Sequence, residues 1–302
     1  MRSRSIFCVI LLIVVGCDGP PSDTSSTSDP ITDADYLTAD TWNDRQAEIA
    51  FYNVERTRNQ YGEDEAQSFT AGTYLVKHQF SPEEMTKVTD GGGVSAFKYA
   101  FFYEFESGSY EYKRNWVVNA RQSDLRPFKQ SFTSFDWCSN QYRELAFSPD
   151  GPVEVRMRSD DYGNRRASFP ARSQSYPIAQ VPLLVRGLDV AEADTVSFAV
   201  ATPEEGHVPA TAVLMGQDSV DTPAGRYATE RIRVRYETPV PSMVGEESDS
   251  TETYWRGTGP QRLLVKMEAA SGRYRVTLVE HLRSAYWQEN LWPRLERIEA
   301  RP

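Results

Sequence analysis

Lys98-Tyr-Ala-Phe-Phe-Tyr-Glu-Phe-Glu-Ser-Gly-Ser-Tyr-Glu-Tyr-Lys-Arg-Asn-Trp116 is the stretch on which the fold turns. Tyr99, Phe101, Tyr103 and Phe105 recur at every second position, and Tyr110, Tyr112 and Trp116 follow after Ser107-Gly108. A period of two marks a strand with one apolar face, so two such runs about a glycine predict an antiparallel hairpin. The same alternation appears on both sides of it. Upstream, Ala47, Ile49 and Phe51 alternate with polar or small residues. Downstream, Val153, Val155 and Met157 alternate with Glu154, Arg156 and Arg158, and shorter strands are expected at Thr195 to Val200 and Thr211 to Leu214.

The last third repeats the pattern. Ile232, Val234 and Tyr236 alternate with Arg231, Arg233 and Arg235. Thr251 to Trp255 precedes Gly257-Thr-Gly-Pro260; Leu263, Val265 and Met267 follow, then Tyr274, Val276 and Leu278 after Ala270-Ser-Gly272. Short strands at turn-marked spacing predict a mainly β protein: an antiparallel meander curved into a half-barrel or barrel, with few short helices. No strand–helix alternation of the parallel kind is present. A short closing helix is expected within Ser284 to Ile298, interrupted by Pro293. The β-rich domain is expected over 41–302, with two sub-domains meeting near 150–195.

The N-terminus reads as an address. Arg2 and Arg4 precede the apolar run Ile6 to Val15, which ends in Val14-Val15-Gly16-Cys17. About ten apolar residues are too few to span a bilayer, which takes about 20. The box resembles a bacterial lipoprotein cleavage site, so 1–16 are expected to be a signal peptide and Cys17 the lipidated residue. Residues 18–40, rich in Ser, Thr, Asp, Pro and Gly, are expected to tether the lipid to the domain.

Bulk properties narrow the classes. The chain has 302 residues, 39% hydrophobic and 25% charged, enough for a packed core. Its formal charge is −10, and losing Arg2 and Arg4 with the signal makes it −12. Nucleic acid is therefore not an expected partner, since phosphate affinity comes from clustered Lys and Arg. Membrane contact is expected through the N-terminal lipid rather than through surface charge. Three cysteines exist, Cys8, Cys17 and Cys138. Loss of the first and lipidation of the second leave Cys138 alone, which excludes an intramolecular disulfide and a multi-cysteine zinc site. No cofactor or metal is expected: no phosphate loop or His-Glu-x-x-His spacing occurs, and Gly91-Gly92-Gly93 reads as a loop.

Residues 42–147 resemble a family of uncharacterised lipoproteins of Bacteroidota and related bacteria. The residues that carry the resemblance are Trp42-Asn-Asp44, Ala47-Glu48, Tyr52, Arg58, Tyr61-Gly62-Glu63, Ser107-Gly108-Ser109-Tyr110-Glu111-Tyr112, Ser134-Phe135-Asp136-Trp137-Cys138 and Tyr142. Members are often labelled septum formation inhibitor Maf. True Maf proteins are cytoplasmic pyrophosphatases with an N-terminal phosphate loop, and this chain has a lipoprotein signal in that place. The final third is similar to periplasmic half-barrel domains of unknown function, through Val220-Asp-Thr-Pro-Ala-Gly225-Arg-Tyr227, Glu252-Thr-Tyr-Trp255 and Leu263-Leu-Val-Lys-Met-Glu268. These resemblances imply a bacterial cell envelope location, lipid-anchored and facing periplasm or outside. They imply no activity.

Three groups of residues are candidates for function. The aromatic ladder Tyr99, Phe101, Tyr103, Tyr110, Tyr112 and Trp116 would line a groove for a lipid or glycan, or else form a core. Arg231, Arg233 and Arg235, with Arg262, Lys266, Arg273 and Arg275, would share one sheet face able to hold an anion. Acids such as Glu252 and Glu268 would pair with that face if it is merely solvated. Trp137-Cys138 suggests a packed thiol, with His78, His207 and His281 remote in sequence. Acid pairs at Glu204-Glu205, Asp160-Asp161 and Glu63-Asp64-Glu65 would support glycoside hydrolysis only across a cleft. The reading that follows is an envelope protein binding or carrying a lipid, glycan or protein partner. A hydrolase would instead show a convergent polar cleft, and a purely structural lipoprotein a filled barrel.

Overall fold

The computed structural model describes residues 31–60, 62–89, 91–137, 139–149, 151–161, 163–190, 195–245 and 248–299. Cys8, Cys17, Cys138, the signal segment and most of the tether lie outside them. Among the described residues, sixteen strands form one sheet. They are β1 (Ala47–Gln60), β2 (Glu63–Ser81), β3 (Thr86–Val88), β4 (Val94–Ser107), β5 (Tyr110–Arg121), β6 (Pro127–Phe135), β7 (Asn140–Phe147) and β8 (Val153–Ser159). The rest are β9 (Arg165–Phe169), β10 (Ser175–Pro177), β11 (Thr195–Thr202), β12 (Gly206–Thr222), β13 (Gly225–Pro241), β14 (Ser248–Gly257), β15 (Leu264–Ala269) and β16 (Tyr274–Ser284).

The order across the sheet is β10-β11-β12-β13-β14-β15-β16-β1-β2-β4-β5-β6-β7-β8-β9, with β3 beside β2. Neighbours are antiparallel except the β10–β11 pair. The sheet curls but does not close, because β9 and β10 are both edges. Side chains bridge the seam instead. Ala201 of β11 is buried with Leu145, Val153 and Val155 of β7 and β8. His207 of β12 contacts the Pro170 carbonyl and Ser175 Oγ, each at 2.7 Å. The expected hairpin is present: Phe105 faces Tyr112 and Phe101 faces Trp116 across β4–β5, with Gly108 at φ 61° in the turn.

One end, called lower here, is where β1 begins, and it is plugged. The helix α1 (Ala34–Thr38) starts on an Asp33 cap, whose carboxylate accepts from Tyr36 N. Tyr36 and Leu37 are buried, Leu37 at 0% exposure. Residues 31–40 therefore pack with the sheet: Thr32 pairs with Leu188, and burial of the apolar Tyr36-Leu37 step offsets the cost of ordering them. The helix α2 (Val181–Gly187) is apolar on nearly every side and buried along its whole length, as such a helix must be. At Gly187 an added Cβ would stand 2.8 Å from Leu125 Cδ1, so the close packing there requires glycine. Arg256 caps the helix, donating from Nη1 to the carbonyls of Val185 at 3.1 Å and Leu188 at 2.8 Å.

The helix α3 (Trp292–Glu299) follows β16. Pro293 does not interrupt it but occupies its first turn, where a missing N–H leaves no intrahelical bond unmade.

Candidate functional site

Strand parity sends the aromatic ladder inward. Tyr99, Phe101 and Tyr103 are 4%, 1% and 2% exposed and belong to the main core. The interior also holds polar clusters. Glu252 accepts from the phenols of Tyr236, Tyr254 and Tyr274. Burial first, and then this carboxylate, raise all three phenols well above the ordinary tyrosine range. Glu252 therefore faces the core and does not pair with the outer arginines.

Towards the upper end the inward positions change character. Met243 and Val244, both buried, cross the interior there. Tyr103 donates to Met243 O at 2.8 Å and Arg56 Nη1 to Val244 O at 2.6 Å. Beside them Phe69 stacks on Tyr103 at 5.0 Å, and Phe105 stacks on Tyr112 at 4.8 Å with planes 8° apart. Three guanidiniums lie on these rings. Arg56 sits 4.2 Å and Arg114 5.3 Å from the Phe105 centroid, and Arg58 sits 5.5 Å from that of Tyr112. Arg58 also donates to Ser107 Oγ at 2.6 Å. A little further round, Arg143 lies 4.6 Å from the Phe132 centroid, and Phe132 packs on Trp116 at 4.3 Å. Trp116 is 7% exposed, and its Nε1–H has no acceptor among the described residues.

Bringing like charges onto one aromatic stack has a cost. A pair of guanidiniums 8 Å apart repels by about 2 kcal/mol at an effective dielectric of about 20. Each cation–π contact returns about 0.5–2 kcal/mol. Among the described residues, Glu65 stands opposite Arg58 in the β1–β2 register, and Glu204 lies 3.7 Å from Arg143.

Next to the cluster a notch of about 450 Å³ opens between the β1–β2 and β15–β16 hairpins. Its lining includes Arg56, Gln67, Arg273, Tyr274, Arg275 and Glu268. Gln67 Oε1 accepts from Arg56 Nε at 2.9 Å, which fixes the guanidinium at the border of notch and cluster. That volume lies in the range of small-ligand sites.

The upper rungs of the ladder thus belong to this site and the lower rungs to the core. Trp116 is buried at its edge and Tyr112 is half-buried under Arg58. Tyr110, 42% exposed, stands at the hairpin tip edge-on to Trp137. Trp137 is 73% exposed, which corrects the packed setting expected for it: it caps the tight β6–β7 turn, where no second layer covers it. Sequence reasoning missed Arg56, Arg58, Arg114 and Arg143. The signal was present: each occupies a position where the alternation calls for an apolar residue, Arg56 after Tyr52 and Val54, Arg114 between Tyr112 and Trp116.

Arg231, Arg233 and Arg235 do point outward from β13. Their neighbourhood is mixed. Asp218 lies 3.9 Å from Arg231, and Glu268 on the same side binds both Lys266 and Arg275. Arg262 does not join this face: it sits in the lower loop at φ 44°, paired with Asp33 and 4.7 Å from the Tyr36 ring. Loop residues escape strand parity, which is why alternation misplaced it. His207, bound to a serine and a backbone carbonyl at the seam, is placed as a structural tie. His78, largely buried and near Lys87 and Lys98, is pushed down to about 4 and stays neutral at neutral pH.

No family model matches the chain, and no curated protein does. Two solved structures are similar in shape. One is a β-barrel-like protein of the domain of unknown function DUF1849 from Brucella abortus, 10% identical, covering 78% of this chain and 97% of its own, with a TM-score of 0.47. The other is a "putative lipoprotein" from Parabacteroides distasonis, 11% identical, covering 77% and 95%, with a TM-score of 0.23. Neither score reaches 0.5, so the function is argued from the residues of this chain alone.

Proposed function

We propose that this chain is a lipid-anchored cell-envelope protein that binds or carries a ligand at the upper end of its curled sheet. The ligand classes that suit it are a lipid, a glycan or a protein partner. The single observation that carries the reading is the inward-facing set Arg56, Arg58 and Arg114 on the Phe69–Phe105–Tyr112 stack, beside an open notch. The chain enters the domain at the plugged lower end, where Asp33 N donates to Gly187 O.

Two experiments test the two halves of this reading. Replacing Cys17 with Ser is expected to leave an uncleaved precursor and abolish labelling by a fatty-acid probe; unchanged labelling would rule out the anchor. Detergent-extracted protein, captured by an affinity tag and analysed by lipid, glycan and protein mass spectrometry, is expected to yield a ligand that Arg114→Glu loses. A wild type and an Arg114→Glu variant with identical captured material would refute the site.

A further inference from the structure

We infer that β9 is a docking edge, at which an extended acidic segment of a partner protein adds to the sheet as a further strand. This is a second surface, carried by the edge of the sheet and not by its interior, and it goes beyond the ligand role proposed above. Among the described residues β9 pairs with β8 alone. Every second residue of such a strand directs its N–H and C=O away from its neighbour. Among the described residues, Arg165 to Phe169 make no hydrogen bond outside the β8 ladder, so those outward groups are open.

The way the sheet meets itself at the seam explains why the edge stays open. Val155 stands opposite both Leu145 and Ala167 in the ladder, and Ala201 of β11 packs on this inner face. Phe169 turns the same way and lies edge-on to His207, with ring centroids 4.8 Å apart. The β11–β12 hairpin thus crosses the inner face of β7–β9 and does not come up beside β9. Its contact occupies side chains and leaves the backbone groups of the edge unmatched.

Charge decides what kind of strand fits. From Glu154 to Arg172 the chain carries five arginines and three acids, in a protein of net charge −10. Arg156 is answered by Glu154 at 3.0 Å, and Asp160 in the hairpin turn accepts from Asn140 N. Arg158, Arg165, Arg166 and Arg172 are exposed and have no ion pair or hydrogen bond among the described residues. Arg165 and Arg166 point to opposite faces, as successive strand residues do. A strand laid beside them with two adjacent carboxylates would meet both, one on each face. Arginines at an edge also repel a second copy of the same edge, which opposes the self-pairing that an open edge otherwise invites. A segment of opposite sign meets no such barrier. Strand addition then takes its affinity from backbone hydrogen bonds and its specificity from the side chains.

The probe is the peptide Thr-Val-Glu-Glu-Val-Thr, blocked at both ends and carrying a neutral fluorophore, followed by anisotropy against the full-length protein. At low salt it is expected to bind about fivefold tighter or more than its Gln-Gln counterpart, as two exposed ion pairs allow. The advantage should shrink as salt rises past physiological strength, where the screening length falls below about 8 Å. Arg165→Gln and Arg166→Gln are each expected to weaken the Glu peptide about two- to fivefold, with the thermal midpoint unchanged because both side chains are exposed. Arg233→Gln, on the central strand β13, should change nothing. The backbone half has its own variants. Successive N–H groups point to opposite edges, so one of Ala167→Pro and Ser168→Pro removes an outward donor and spares the ladder. That variant should keep the β signal in circular dichroism and lose the peptide. If both unfold, Thr-Pro-Glu-Glu-Pro-Thr, which cannot form a ladder, carries the same test and is expected not to bind. Equal binding of the Glu and Gln peptides, tight binding of the proline peptide, or no binding of the Glu peptide to the wild type would each overturn the proposal. So would a stable dimer that Arg166→Gln disrupts, since a second copy would then be the occupant.

Discussion

Raising the pH above 10 is expected to unfold the protein over a narrow interval. Seven of the eight tyrosines buried among the described residues, Tyr36, Tyr52, Tyr99, Tyr176, Tyr236, Tyr254 and Tyr274, have raised phenols. Burial is the leading cause that raises every one of them above the ordinary value of 10.0, Tyr36 to about 12. In the unfolded chain they ionise near 10, whereas in the folded protein they stay neutral. Their contribution to stability is therefore complete below pH 10 and is lost as the pH climbs towards the folded values. Each phenol can remove up to about 1.4 kcal/mol per pH unit once its unfolded form ionises. Several acting together exceed the 5–15 kcal/mol typical of a folded domain within about two units. Phenolate absorbance should rise in two stages, the exposed tyrosines first near pH 10 and the buried ones together with the loss of far-ultraviolet circular dichroism. Ionisation of all the phenols ahead of any loss of β signal would refute the common burial of these hydroxyls.

Replacing Glu48 with Gln is expected to cost about 3–5 kcal/mol, the penalty for breaking a buried ion pair from one side. Glu48 and Arg186 are 3% and 4% exposed and lie 2.8 Å apart. Burial alone would favour a neutral guanidine, but the Glu48 carboxylate overcomes it and holds Arg186 above its usual range. Arg186 also donates to the carbonyls of Arg262 at 2.9 Å and Gln261 at 2.6 Å, so one side chain joins α2, β1 and the lower loop. The variant would leave that cation buried without its counter-charge. Urea denaturation should show a lower midpoint with an unchanged slope. The double variant Glu48→Leu/Arg186→Met should recover much of the loss, because it removes both charges together. A single variant within about 0.5 kcal/mol of wild type would mean that the pair is dispensable.

Much of the fold was legible because strands declare themselves locally. Alternation at Ala47 to Phe51, Tyr99 to Phe105, Val153 to Met157, Ile232 to Tyr236 and Tyr274 to Leu278 falls within β1, β4, β8, β13 and β16. The hairpin about Gly108 followed from two such runs and one residue able to take a positive φ. The helices were less legible. The helix α2 carries no polar face to betray its period, so its apolar run reads equally well as a buried strand. In α3 the proline reads as a breaker unless the start of the helix is already known.

The candidate site divides in the same way. Inward parity of the aromatics could be read from their spacing, but their depth could not. The tilt of a curled sheet makes Tyr99, Phe101 and Tyr103 core, while Tyr112, on the same face, reaches the rim. Arg231, Arg233 and Arg235 drew notice because they form an unbroken alternation, yet an outward charge is what a half-buried strand ordinarily carries. Arg56, Arg58 and Arg114 break the pattern on the opposite face, on strands more than fifty residues apart in sequence.

The sequence by itself determined the class of the fold, the positions of most strands and which face of each is apolar. These depend on interactions between near neighbours, whose geometry the backbone period sets. Only the tertiary structure decided that the sheet stops short of closing, that α2 fills its lower end, and that three arginines from β1 and β5 meet on one aromatic stack at its upper end. Those outcomes depend on strand order, stagger and curvature, which are settled by how the whole chain packs and leave no mark on any local run of residues.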